Sequence, residues 1–265
     1  MQDIYISGTG VWTPPHKISN EELVTSFNSY VDLYNSENSK EIEAGSLKAL
    51  EPSSTEFIVK ASGIHNRYVI EKESLLDPRY MKPRIKARSD DSLSLCAEIS
   101  VIAAKEALNN AKLNPADIDA VIVSTANLQR AYPAIAIEVQ NELGIEGYAY
   151  DMMVGCSSTT FGISNAYSDI ASGKASKILV INPEITTAHN NLKNRDSHFI
   201  FGDVCTAAVI EKNSKSPNKF KIINAKLKTH FSNNIRNNFG FMNAIEDKEY
   251  TEEELLFVQN GRSVF

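Results

Sequence analysis

The sequence predicts an α/β layered fold, and three observations predict it. Predominantly apolar runs of strand length occur at 118–124 (IDAVIVS) and 177–181 (KILVI), as expected of strands buried on both faces. Segments with a helical apolar period, ten or more residues long, alternate with the strands. The composition, 42% hydrophobic and 23% charged, is too apolar for a disordered chain and too charged for a membrane protein.

Taken in order, residues 5–11 are apolar and β-branched and read as a strand that carries Gly8 and Gly10. Ser19 followed by Glu22 is a capping box, so a helix through Leu23, Val24 and Phe27 follows. Residues 28–54 are polar and aperiodic and read as an insertion with one short helix. Phe57, Ile58 and Val59 before Gly63 predict a helix over 55–62 with a glycine stop. Asp91 opens a long helix whose stripe is Leu93, Ala97, Ile99, Ala103 and Leu108. After strand 118–124, Pro133 takes the first helical position of a helix over 134–143. Strand 147–154, helix 157–171 ending at Gly173, and strand 177–181 complete the alternation. Strands at 206–210 and 220–228 and a helix at 251–264 follow. The polar stretch 213–218 (NSKSPN) reads as a hinge.

The formal charge is −6, which disfavours nucleic acid and anionic lipid as partners. Nothing approaches the roughly 20 apolar residues of a membrane helix. The first residues lack a basic flank and a signal-type core, so a cytoplasmic setting is expected. Cys96, Cys156 and Cys205 show no C-x-x-C spacing, and the five histidines (His16, His65, His189, His198 and His230) have no ligand-like spacing. Neither a disulfide framework nor a metal site is expected.

Cys156 lies where a strand (YAYDMMVG) turns into a helix (CSSTTFGISNAYSDIASG). There it meets the positive end of the helix and its unpaired N–H groups, which favour a thiolate and can receive an oxyanion. The position suits a nucleophile as well as a buried structural cysteine. The helix behind it is rich in small residues, so burial at the centre of the fold is expected. Cys96 and Cys205 read as packing residues. His189 and His198 flank a loop where either a base near Cys156 or a solvated histidine would fit. The stretch 233–240 (NNIRNNFG) reads as a ligand loop or a turn.

These residues, in the order GTGVWTPP, SGIHNRYV, AYPA, DMMVGCSS and FGD, resemble the β-ketoacyl-ACP synthase III group of thiolase-like condensing enzymes. The resemblance implies a layered αβαβα fold of two similar halves and a homodimer in which the strand near 177–181 pairs across the two-fold axis. Here it implies a first half over 1–212, with its insertion near 28–54, and the start of a second half over 219–265. It assigns Cys156 as the acyl-accepting nucleophile. Tyr132 would line the partner subunit's acyl pocket, and Phe57 would stack on the CoA adenine. Arg195 would meet the CoA nucleotide, and Gly202 and Asp203 would form a turn beside the substrate. Acyl-CoA and malonyl-ACP are the implied substrates, with no resident cofactor.

Two departures accompany the resemblance. Ala61 stands where better-known members carry an arginine for CoA. The family's His and Asn lie in motifs of the HQAN and GNTS type, and neither motif occurs in these 265 residues, so a second half only begun is the expectation. The expected activity is condensation of an acyl-CoA with malonyl-ACP in fatty acid synthesis. Condensation like that of a 3-hydroxy-3-methylglutaryl-CoA synthase and a non-catalytic partner subunit of the same fold are the alternatives.

Overall fold

The structure is a computed structural model that describes residues 3–238, 249 and 251–259. Its strands are β1 (Ile4–Trp12), β2 (His16–Ser19), β3 (Asn66–Val69), β4 (Ala120–Thr125), β5 (Tyr148–Met153), β6 (Lys177–Ile185), β7 (Asp203–Lys212), β8 (Phe220–Lys221), β9 (Ile235–Asn237) and β10 (Phe257–Gln259). Its helices are α1 (Asn20–Glu37), α2 (Ser39–Glu43), α3 (Thr55–Ser62), α4 (Leu95–Ala111), α5 (Ile135–Leu143), α6 (Ser158–Ala171) and α7 (Glu252–Leu255). They gather into two compact units. The first draws on residues up to Thr13, Ala87–Ile185 and Val204–Thr229, and the second on Pro14–Lys86, Thr186–Asp203 and residues from His230 on.

The first unit is a six-stranded mixed sheet in the order β5-β4-β6-β7-β1-β8. β4 runs parallel to both β5 and β6, with Ile122 opposite Tyr150 and Val180, and every residue of β4 is buried. One face packs on α6 through Ala166 and Ile170, against Ile122, Ile178 and Val180. The alternate residues of the same strands, Val121, Val123, Leu179 and Ile181, point to the other face, where α4 and α5 lie.

β1 shows how the sheet is fitted to α4. A bulge between Ile6 and Gly8 sets two residues against one on β7, so the alternation slips by one. Ile4 and Ile6 therefore face α6, whereas Gly8 and Gly10 face α4. A Cβ on Gly10 would lie 2.1 Å from the Ala103 carbonyl oxygen, and one on Gly8 2.3 Å from that of Ala107. The GTG motif is thus a bare track on which α4 sits backbone to backbone.

The second unit is built around α1. Leu23, Phe27 and Val31, four residues apart, are buried with Ile18, Ile58, Val69 and Phe199. β2 pairs with β3, and β9 with β10, both antiparallel.

Several expectations are corrected. α1 continues through Glu37, well into the supposed insertion, because Val31 extends its buried stripe and the polar residues form its solvent face. The remaining segment is tied down by two reciprocal asparagine pairs. Asn28 donates to the Ser53 carbonyl (3.1 Å) and accepts from its N–H (2.8 Å), and Asn35 does the same with Leu50 (3.0 and 2.9 Å). α4 starts at Leu95 because Ser94 caps it, accepting from the Ala97 N–H. Pro133 precedes the N-cap Ala134 and is not at the first helical position. The strand expected over 220–228 is only Phe220–Lys221, and residues 223–232 are exposed. The helix expected over 251–264 is a single turn, after which the chain pairs as β10; residues 260–264 lie outside the described residues. Residues 235–237 of the asparagine-rich stretch form β9, and residues 239 and 240 are likewise outside. The 213–218 segment is anchored, since the Asn213 N–H donates to the Asp3 carbonyl (2.9 Å) and Ser214 and Ser216 are buried.

Candidate active site

β4, β5 and β6 are parallel, so their carboxyl ends emerge together, the usual place for a ligand on an open α/β sheet. Cys156 stands there, in the single 3₁₀ turn Gly155–Ser157 between β5 and α6. Gly155 takes a positive φ of 57°, which lets the chain reverse from strand into helix. The buried Ser158 fixes the turn. Its hydroxyl accepts from the Val154 N–H (2.8 Å) and lies 2.8 Å from the carbonyls of Thr125 and Gly155. The Cys156 side chain is left exposed beside the first free N–H groups of α6. A nucleophile needs that access, and a structural cysteine would not have it.

α6 departs from the expected full burial. Ser158, Gly162, Ala166 and Ile170 form one buried stripe, and Thr159, Asn165 and Ser168 are exposed. Gly162 is where the helix approaches the sheet, since a Cβ there would lie 2.5 Å from the Ser124 hydroxyl. Tyr132 also belongs to this unit and is 84% exposed, in the turn before α5. The N-terminus of α5 has no cap of its own. Asp151 on β5 supplies one, accepting from the N–H groups of Ile135 and Ala136 at 2.8 Å each. Burial holds the Asp151 carboxyl above its usual range. Sequence reasoning missed Asp151, although a helix opening on Pro-Ala needs its cap from elsewhere.

The second unit holds Phe57, Arg195, Gly202 and Asp203. Two of these, assigned separately to the CoA nucleotide, meet. The Arg195 guanidinium lies over the Phe57 ring, 4.3 Å from its centre, and its Nε donates to the Pro52 carbonyl at 2.8 Å. Gly202 runs against β3, where a Cβ would come within 2.7 Å of the Tyr68 carbonyl oxygen. Asp203 is buried and both its oxygens are engaged, by the Thr187 N–H and hydroxyl and by the Ile70 N–H, all at 2.9 Å. Asp203 opens β7, and these bonds fix the start of that strand. They leave the Asp203 carboxylate committed to the chain itself, not to a substrate.

The histidines resolve differently from the open choice in the sequence. His198 is a core residue with no exposure, neither solvated nor placed to act as a base. Burial pushes its pKa down to about 4, reinforced by the nearby Arg67 and Arg195 cations. Burial also lowers that of His189. Cys96 and Cys205 are buried, and burial pushes the Cys205 thiol up to about 12, as a packing residue should be.

A family model described as 3-oxoacyl-(acyl-carrier-protein) synthase III matches residues 150–230, from β5 through the Cys156 turn and past Asp203. A β-ketodecanoyl-(acyl-carrier-protein) synthase of Pseudomonas aeruginosa is 53% identical over 242 residues, 91% of this chain and 69% of the relative. A β-ketoacyl-(acyl-carrier-protein) synthase III of Agrobacterium fabrum is 33% identical over 60% of this chain and 43% of its own length. Among solved structures, the 3-oxoacyl-(acyl-carrier-protein) synthase III of Aquifex aeolicus superposes with a TM-score of 0.57 at 26% identity, over 81% of this chain and 55% of that one. The chain thus spans about half the length of these last two, and the thiolase-like fold agrees with its helix-covered mixed sheet. With over nine tenths of the chain aligned at 53% identity, the kinship suggested by the cysteine turn is secure, and the chain belongs to the β-ketoacyl-ACP synthase III family of condensing acyltransferases.

Proposed function

We propose that Cys156 takes an acyl group from an acyl-CoA and that the acyl-enzyme condenses with malonyl-ACP in fatty acid synthesis. In the first step the thiolate attacks the thioester carbonyl, and the bond to the CoA sulfur breaks as a new thioester forms. N–H groups at the start of α6 are suited to receive the transient oxyanion. In the second step malonyl-ACP loses carbon dioxide, its enolate carbon attacks the acyl carbonyl, and the Cys156 thiolate leaves as β-ketoacyl-ACP forms. No resident cofactor enters this scheme. The observation that carries the reading is the exposed Cys156 at a strand-to-helix turn, inside the segment that the family model matches.

The name of the Pseudomonas aeruginosa relative specifies a ten-carbon β-keto product. Malonyl-ACP contributes two of those carbons, so an eight-carbon acyl-CoA is the donor proposed for this chain. The Arg195–Phe57 stack is the proposed seat of the CoA nucleotide. Assembly as a cytoplasmic homodimer, with Tyr132 reaching the partner's acyl pocket, belongs to the same proposal. The dimer strand needs correction, however. β6 is hydrogen-bonded between β4 and β7 and has no edge to offer, whereas among the described residues β5 is an edge strand.

The test is intact-mass measurement after mixing the chain with octanoyl-CoA or acetyl-CoA. We expect one octanoyl group on Cys156, formed faster than the acetyl adduct and lost in Cys156→Ala. No adduct on the native chain would support the non-catalytic alternative.

A further inference from the structure

We infer that His198 is a positioning residue for the CoA nucleotide, acting through Arg195. The inference rests on the proposed CoA reading of Arg195 and Phe57 and adds a residue to it.

Three contacts define what His198 does. Its ring stacks on Phe27 at 4.5 Å and meets Phe199 edge-on at 5.2 Å. Its Nδ1 lies 2.8 Å from the Arg195 carbonyl oxygen, so Nδ1 carries the proton and donates it. Its own N–H donates to the Asn194 carbonyl, also at 2.8 Å. The turn that presents Arg195 is therefore pinned to the core at its carbonyl. From that turn the guanidinium reaches over Phe57, and Phe57 meets Phe199 edge-on at 5.6 Å. Phe199, Phe57, Arg195 and His198 thus close a ring of contacts, with Phe27 as its floor.

A purely packing role would suit a phenylalanine better. His198 is fully buried, and its Nε2 has no hydrogen-bond partner among the described residues. An unsatisfied buried nitrogen is unfavourable. What a hydrocarbon ring cannot supply is the bond from Nδ1 to Arg195. Burial keeps the imidazole neutral, and the charged groups that face it, Arg67 and Arg195, are both cations that act in the same direction.

Calorimetric titration of the chain with CoA tests this in a double-mutant cycle. His198→Phe keeps the ring and removes the donor. We expect it to weaken CoA binding about tenfold, a loss on the scale of one hydrogen bond. His198→Asn, which restores a donor near Nδ1, should recover most of the loss. In an Arg195→Ala background, His198→Phe should weaken binding no further, and iodoacetamide labelling of Cys156 should stay unchanged in all variants. If His198→Phe does not fold, His198→Asn carries the same cycle, with a smaller loss that must likewise vanish on Arg195→Ala. Losses that add across the two sites, or wild-type affinity in His198→Phe, would overturn the inference while leaving the CoA reading intact. Wild-type affinity in Arg195→Ala, or no CoA binding by the native chain, would remove the CoA reading, and the role of His198 with it.

Discussion

His198 also makes a prediction about stability that is separate from binding. Its pKa is about 4 in the fold, against an ordinary value near 6.5. The unfolded chain therefore takes up a proton at a higher pH than the folded one, and protonation favours unfolding. The stability linked to this group is fully present above about pH 6.5, falls as pH drops toward 4, and is level below that. The total is about 3 kcal/mol. Chemical denaturation of the native protein and His198→Phe from pH 7.5 to 4 should show the native protein losing that much relative to the variant. Parallel curves would mean that the imidazole titrates normally in the fold. Little of this was legible in the sequence, where a histidine between polar stretches looks like any loop histidine. Its burial depends on Phe27, about 170 positions away. Cys156 was legible because the strand before it and the small-residue helix after it are local patterns.

Among the elements, the ones that announced themselves carry their signals within a few residues. The capping box at Ser19 and Glu22 and the glycine stop at Gly63 are both present where the sequence placed them. The failures lie where long-range partners decide. The asparagines of α1 read as part of an aperiodic insertion because their partners, Leu50 and Ser53, lie 15 and 25 residues on. The glycines of β1 read only as residues of a strand because what they accommodate is α4, about 95 residues later. Gly10→Ala tests that fit. Its Cβ would strike the Ala103 carbonyl oxygen, a backbone atom that no rotamer change can move. Overpacking of this kind costs about 3 kcal/mol, read as a lowered denaturation midpoint. Adding Ala103→Gly should not rescue the variant, because the obstructing atom remains. Recovery in the double variant would show that side chains, not backbones, set the spacing.

At the scale of the whole molecule, the chain passes between its two compact units at 13/14, 86/87, 185/186, 203/204 and 229/230. The halves expected over 1–212 and 219–265 follow a proposed internal repeat, and the compact units do not follow that division. The stretch 213–218, which composition alone marks as a hinge, lies within the first unit. Residues 223–232 are the better candidate for cleavage, because all are exposed and Ile223 and Phe231 are bare at 79% and 88%. Limited trypsin digestion should cut after Lys226 or Lys228 before it cuts after Lys215, as peptide mass mapping of the first fragments will show. First cleavage at Lys215 would restore the hinge reading. Ile222, by contrast, is partly covered by the core that α6 shares with the sheet.

The position of β1 has a consequence for synthesis. This strand leaves the ribosome long before the strands it pairs with, since β7 and β8 lie about two hundred residues downstream. At the usual 5–20 residues per second, they emerge roughly 10 to 40 seconds later. α4 emerges in about half that time, and the bare glycine track of β1 is the surface it fits. The nascent strand can thus be sheltered by a helix well before it has a sheet to join.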